Sequence, residues 1–60
     1  MRLIKQIQAY LLEEKHTKAE LLSRFAPDER QAVEVRFDAM VVRGELQSAS
    51  RGQFTDYWME

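Results

Sequence analysis

The sequence predicts a small α+β domain in which three helices are followed by a two-stranded β-hairpin. Three observations predict this fold class. Apolar residues recur at helical spacing from Leu3 to Arg43. Residues that interrupt regular structure stand at three places, Pro27, Gly44 and Gly52. Beyond Gly44 the helical spacing ends, and short segments typical of strands follow.

The first two helices are predicted by an apolar stripe and by a capping sequence. The stripe lies between Leu3 and Lys15 and consists of Leu3, Ile4, Ile7, Tyr10 and Leu11. Leu12 lies outside it, so we expect that side chain to be partly exposed or to pack against a later segment.

Thr17-Lys18-Ala19-Glu20 matches a capping box, which predicts a second helix from this point. His16 precedes the cap and could pack on Leu21. The inward-facing residues of the second helix are expected to be Leu21, Leu22 and Phe25.

The third helix is predicted to run from Pro27 to Arg43. Proline suits a first helical turn because its missing amide has no partner there, and Asp28 and Glu29 would favour the positive end of the helix dipole. Gly44 is predicted to end the helix in the left-handed conformation. The core-facing residues are expected to be Val33, Phe37, Met40 and Val41.

The end of the chain is predicted to form the hairpin. Its strands would be Glu45 to Ala49 and Gln53 to Trp58, joined by the loop Ser50-Arg51-Gly52. One side of this hairpin is expected to carry Leu46, Phe54 and Trp58.

Composition limits the classes of function. The 60 residues allow a single domain, residues 1–60, and nine Lys or Arg against ten Asp or Glu give a net charge of −1. Without cysteine there is no disulfide or thiolate site, and His16 is the single histidine, so neither a metal nor another cofactor is expected. No apolar run approaches the roughly 18 residues that a membrane span requires. The first residues also lack the features of a secretory signal, so we expect a reducing cytoplasm.

The order of these elements resembles the winged helix-turn-helix, over the chain from Leu3 to Trp58. The segment Thr17 to Phe25 looks like the second helix of many bacterial regulators, and Val33 to Leu46 looks like a third helix that continues into a wing strand. Among families, the chain is most similar to FeoC-like winged-helix proteins, which are accessory factors of bacterial ferrous-iron transport, and to the N-terminal domain of DeoR-type regulators. FeoC-like proteins often carry cysteines in the wing. Ser48 to Phe54 contains none, which argues against an iron-sulfur or iron-sensing role.

The resemblance implies a DNA-binding transcriptional regulator, expected as a complete small bacterial, phage or plasmid protein. The third helix would enter the major groove and the wing would contact the backbone. The residues expected to face bases are Gln31, Ala32, Val35 and Arg36, and those expected to contact phosphates are Lys18, Arg24 and Arg51. One such domain makes few contacts, so a homodimer on paired half-sites is expected.

Charge and apolar patterning favour a second hypothesis, a protein-protein interaction module such as a FeoC-like accessory factor. The predicted outer side of the third helix carries an uncharged strip that includes Val35, Ala39 and Val42. Such a strip has three interpretations: packing within the monomer, a protein interface, or contact with DNA. Trp58 either closes the core over the first helix or joins Val35, Ala39 and Val42 in the protein interface.

Catalysis is not expected. The adjacent carboxylates Glu13-Glu14 and Asp28-Glu29 lie near predicted helix ends, where solvation or the helix dipole accounts for them. A domain of this size also has little room for a sizeable cleft.

Overall fold

The computed structural model describes residues 2–60, and these form three helices and a three-stranded antiparallel sheet. The helices are α1 (Arg2–Glu13), α2 (Lys18–Ser23) and α3 (Arg30–Val42). The strands are β1 (His16–Thr17), β2 (Gln47–Arg51) and β3 (Phe54–Trp58), in the spatial order β1-β3-β2. The α+β class and the three helices agree with the sequence prediction, and β1 is an addition to it.

The core lies where the three helices and β3 meet. Its buried side chains come from all three helices and from the segment after α2: Ile7, Leu11, Leu21, Phe25, Val33, Phe37 and Met40. Tyr57 of β3 packs edge-on against Phe37, with ring centroids 4.9 Å apart. The Met59 amide donates a hydrogen bond to the Leu11 carbonyl over 3.0 Å, so the end of the chain is fixed to α1.

The capping box at the start of α2 is confirmed. The Glu20 amide donates to the Thr17 hydroxyl over 3.1 Å, and the Thr17 amide donates to the Glu20 carboxylate over 2.9 Å. Thr17 also belongs to β1, opposite Asp56 of β3. One residue therefore both begins a helix and pairs with the sheet.

The third helix begins later than predicted, at Arg30 instead of Pro27. Pro27 lies in a turn in which the Glu29 amide donates to the Ala26 carbonyl over 2.9 Å. Asp28 and Glu29 therefore precede the first turn of α3, and the Glu29 side chain makes no capping bond. The Arg30 Nε donates to the carbonyls of Leu22 and Phe25, which fixes the connection between α2 and α3.

The other end of α3 was predicted correctly. Gly44 has φ +75°, and its amide donates to the Val41 carbonyl, while the Glu45 amide donates to the Met40 carbonyl. These two bonds form a Schellman motif. Of the predicted core stripe, Val33, Phe37 and Met40 are buried, but Val41 is 38% exposed, so its assignment to the core was wrong.

The hairpin was predicted with the wrong loop. Ser50 and Arg51 belong to β2, and the turn consists of Gly52 and Gln53, with φ positive (+61°) at the glycine alone. This pattern of φ angles is that of a type II′ turn. Phe54 is 56% exposed and Trp58 is half-buried outside the core cluster, so β3 packs on the core through Tyr57 instead of these two residues.

None of the helices in residues 2–60 has both the length and the apolar character that crossing a membrane requires.

Candidate macromolecule-binding surface

The outward side of α3 is apolar and uncovered. Val35 is 64% exposed and Val42 is 86% exposed, while Ala39 is half-buried. Burial of Val33 and Phe37 on one side of a helix with about 3.6 residues per turn leaves this outward side facing away from the core. Packing within the monomer therefore does not account for the two valines. We call Val35, Ala39 and Val42 the α3 strip.

A groove of about 340 Å³ runs along the edge of the α3 strip, between α1 and α3. It is lined by Ile4, Gln8, Val35, Arg36, Ala39, Met40, Arg43 and Glu45. The groove thus brings together three predicted site residues, Val35, Arg36 and Ala39. It also includes Ile4, a half-buried member of the predicted apolar stripe of α1, and Glu45, which follows the helix-ending glycine.

Arg36 has an unusual environment in this groove. Its side chain is half-buried, and its Nε is the one buried side-chain nitrogen or oxygen in residues 2–60 that lacks a hydrogen-bond partner. None of the ion pairs among these residues includes Arg36. Arg43, farther along the groove, lies 3.9 Å from a Glu45 carboxylate oxygen.

Lys18, a predicted phosphate contact, is held by two carboxylates of α3. Its Nζ lies 2.9 Å from Glu34 and 3.0 Å from Asp38. Hydrogen bonds to these two side chains, Glu34 first, raise the pKa of Lys18 above its usual value. The flank of α3 that faces α2 therefore presents a cluster of two acids and one base, with a net charge of −1.

Arg24, the second predicted phosphate contact, is directed toward the end of α1. Its Nε donates to the His16 Nε2 over 3.1 Å, and its terminal nitrogen lies 3.6 Å from a Glu14 carboxylate oxygen. Its guanidinium carbon lies 5.2 Å from the centre of the Tyr10 ring. Glu14, His16 and Arg24 also border an open depression of about 380 Å³, together with Lys15, Glu20 and Ser23.

Arg51, the third predicted phosphate contact, is the last residue of β2 and adjoins the hairpin turn. It makes a forked contact with Asp56 of β3, over 2.9 Å and 3.3 Å. Hydrogen bonding to Arg51 lowers the pKa of Asp56 below its usual value. The guanidinium carbon also lies 5.5 Å from the centre of the Phe54 ring, on the exposed face of the hairpin.

Of the remaining predicted site residues, Gln31 and Ala32 are exposed near the start of α3. Trp58 lies beyond the end of α1, where the Lys15 Nζ is 4.7 Å from the centre of its ring. The predicted contacts therefore divide between the α3 surface, the hairpin and the end of α1.

Comparison with protein-family models, with curated proteins and with solved structures finds no match to this chain.

Proposed function

We propose that this chain is a winged-helix module that binds another protein through the α3 strip. One observation carries the proposal: Val35 and Val42 are 64% and 86% exposed on α3, next to a groove. A contiguous apolar surface that the protein itself leaves uncovered is typical of a site for protein association.

The winged-helix assignment within this proposal rests on the order of the elements. Three helices precede a two-stranded hairpin, and the connection between α2 and α3 is short. The additional strand β1 pairs with β3 and so joins the start of α2 to the hairpin. The resemblance to FeoC-like proteins agrees with an accessory role carried out through protein contact.

The charges support a protein partner over nucleic acid. Lys18 and Arg51 already contact carboxylates, and the acids Glu34 and Asp38 stand on α3 itself. A DNA backbone would have to displace or approach these carboxylates, and the repulsion would reduce the phosphate attraction on which most DNA affinity depends. The net charge of −1 adds to this disadvantage.

DNA binding is the second candidate function, as a transcriptional regulator of the winged-helix type. It is favoured by the exposure of Gln31 and Ala32 near the start of α3 and by the place of Arg51 beside the hairpin turn. In this alternative, surface ion pairs such as that of Arg51 with Asp56 exchange their carboxylate for phosphate.

Peptides selected from a displayed random library against the wild-type chain provide a defined probe for the first proposal. We expect selected peptides to shift the amide resonances of α3, and Val35→Asp to weaken their binding at least about tenfold. Phe54→Asp is the matched control, because it adds the same charge at an exposed apolar residue outside the α3 strip. It should leave the affinity nearly unchanged.

A titration with random-sequence duplex DNA at low salt tests the alternative on the same sample. Shifts from Gln31 to Ala39 and around Arg51 that fade with added salt, and that Arg51→Ala removes, would replace the protein-binding proposal with DNA binding. Peptide binding that Val35→Asp does not weaken would also contradict the proposed site.

A further inference from the structure

We propose that the groove between α1 and α3 recognises a carboxylate of the partner protein, which Arg36 binds beside the apolar contact. This inference rests on the proposed function, since it specifies the chemistry of the partner segment at that site. The segment would place an Asp or Glu on Arg36 and a neighbouring apolar side chain against Val35 and Ala39.

The unsatisfied hydrogen-bonding capacity of Arg36 is the first argument. The Nε atoms of Arg24, Arg30 and Arg51 donate to a ring nitrogen, to carbonyls and to a carboxylate respectively. The Arg36 Nε is buried and has no acceptor. A buried donor without a partner destabilises the free protein, and a rearrangement of the side chain that brings this Nε to a ligand carboxylate removes that penalty only in the complex.

The charge of the groove is the second argument. Its lining contains two arginines, Arg36 and Arg43, and one acid, Glu45, which gives a local net charge of +1. Glu45 lies near Arg43, and no carboxylate in residues 2–60 pairs with Arg36. A guanidinium binds a carboxylate through two parallel hydrogen bonds, so an acidic side chain complements this position in both charge and shape.

The lining of the groove favours a protein segment as the source of the acid. Ile4, Val35, Ala39 and Met40 give the groove an apolar component next to Arg36. Its volume of about 340 Å³ suits a few side chains. An acidic residue adjacent to an apolar one satisfies both parts of the site at once.

The test uses the tightest of the selected peptides as the probe. Calorimetry compares its binding to the wild-type chain, to Arg36→Met and to Arg36→Lys, which keeps the charge but loses the forked donor. We expect Arg36→Met to weaken binding at least about tenfold, and Arg36→Lys to recover only part of it. Replacing the acid of the peptide by its amide should have a similar effect on the wild-type chain and little on Arg36→Met, because the two groups act as a pair. The Arg36 Nε–H resonance should shift on binding.

Arg43→Met is the matched control, because it removes the same charge from the same groove at an arginine that is more exposed. Its effect should be smaller than that of Arg36→Met. Amide spectra of each variant show whether it folds. If Arg36→Met does not fold, the comparison of Arg36→Lys with the wild-type chain still tests the inference.

Peptides without an acid, whose binding depends on Val35 but not on Arg36, would overturn this inference and leave the proposed function intact. Failure to select any peptide that depends on Val35 would count against both. A shift of the Arg36 Nε–H signal by duplex DNA, with no such shift by peptide, would overturn both in favour of nucleic acid.

Discussion

His16 connects three parts of the fold through one imidazole ring and its backbone. The ring is 4% exposed, its Nδ1 lies 3.0 Å from the Glu14 carbonyl, and its Nε2 lies 3.1 Å from the Arg24 Nε. The Arg24 Nε can only donate, so His16 accepts at Nε2 and donates from Nδ1, which is the neutral form. The 3.9 Å approach of Glu14 to the same Nε2 is therefore not an ion pair. The backbone of His16 meanwhile pairs with Tyr57.

Replacing His16 should destabilise the protein through the groups that it leaves unpaired. We expect His16→Leu to lower the free energy of unfolding by about 2 kcal/mol, since the Glu14 carbonyl loses its donor in a part-buried position. His16→Asn should cost less, because its amide can replace the Nδ1 donor. Urea unfolding followed by circular dichroism measures both. Equal losses for the two variants would show that the Nδ1 hydrogen bond has no special weight.

At the scale of whole elements, α3 depends on the glycine that follows it. Gly44 has φ +75°, a backbone conformation that residues other than glycine and asparagine rarely adopt. This conformation allows the two Schellman hydrogen bonds that end the helix. A Cβ built at this position meets nothing within 4 Å. The requirement for glycine therefore comes from the backbone conformation and not from crowding.

Substitution at Gly44 should reveal that backbone cost directly. We expect Gly44→Ala to lower the free energy of unfolding by about 1 kcal/mol and Gly44→Asn by less, because asparagine tolerates the left-handed region. Chemical denaturation of the two variants against the wild type provides the measurement. Similar stability of Gly44→Ala and the wild type would mean that α3 can end in another conformation.

Elements whose determinants are local could be predicted from the sequence. The stripe of α1 leads to buried Ile7 and Leu11, the capping box forms as expected, and Gly44 ends α3. Each of these depends on residues within a few positions of one another. The exposed α3 strip was likewise predictable as a pattern, although sequence alone left three interpretations of it.

Elements that depend on distant partners could not be predicted. Strand β1 has two residues and exists only because β3 lies beside it. The hairpin turn was misplaced because Ser50-Arg51-Gly52 and Gly52-Gln53 are both acceptable turn sequences. Aromatic residues also occur on both faces of β3, so the pattern did not show that Tyr57 faces the core. The unpartnered Nε of Arg36 has no sequence signal, because burial of a single atom depends on how the folded chain packs around it.

At the scale of the whole molecule, two carboxylates with lowered pKa values hold the sheet and its connection to α2. The Thr17 amide lowers the pKa of Glu20, and Arg51 lowers the pKa of Asp56. Glu20 thus fixes the start of α2 where it leaves β1, and Asp56 joins β3 to β2. The α1–α3 side of the molecule depends instead on apolar packing, through Ile7, Val33 and Met40 among others.

This division predicts that acid loosens the sheet and the start of α2 before it loosens α3. A carboxylate whose pKa is lower in the folded state stabilises the fold above its unfolded pKa, and this contribution is lost as the pH falls through the folded value. The usual values are 4.5 for Glu20 and 3.8 for Asp56, so the loss should begin near these values and continue below them. Protection factors for amide hydrogen exchange in β2 and β3, taken relative to the intrinsic exchange rate at each pH, should therefore fall in acid while those of α3 stay high. Asp56→Asn should already show faster exchange in the hairpin at neutral pH and a weaker dependence on acid, because its side chain cannot ionise. Loss of protection in α3 before the hairpin would contradict this order.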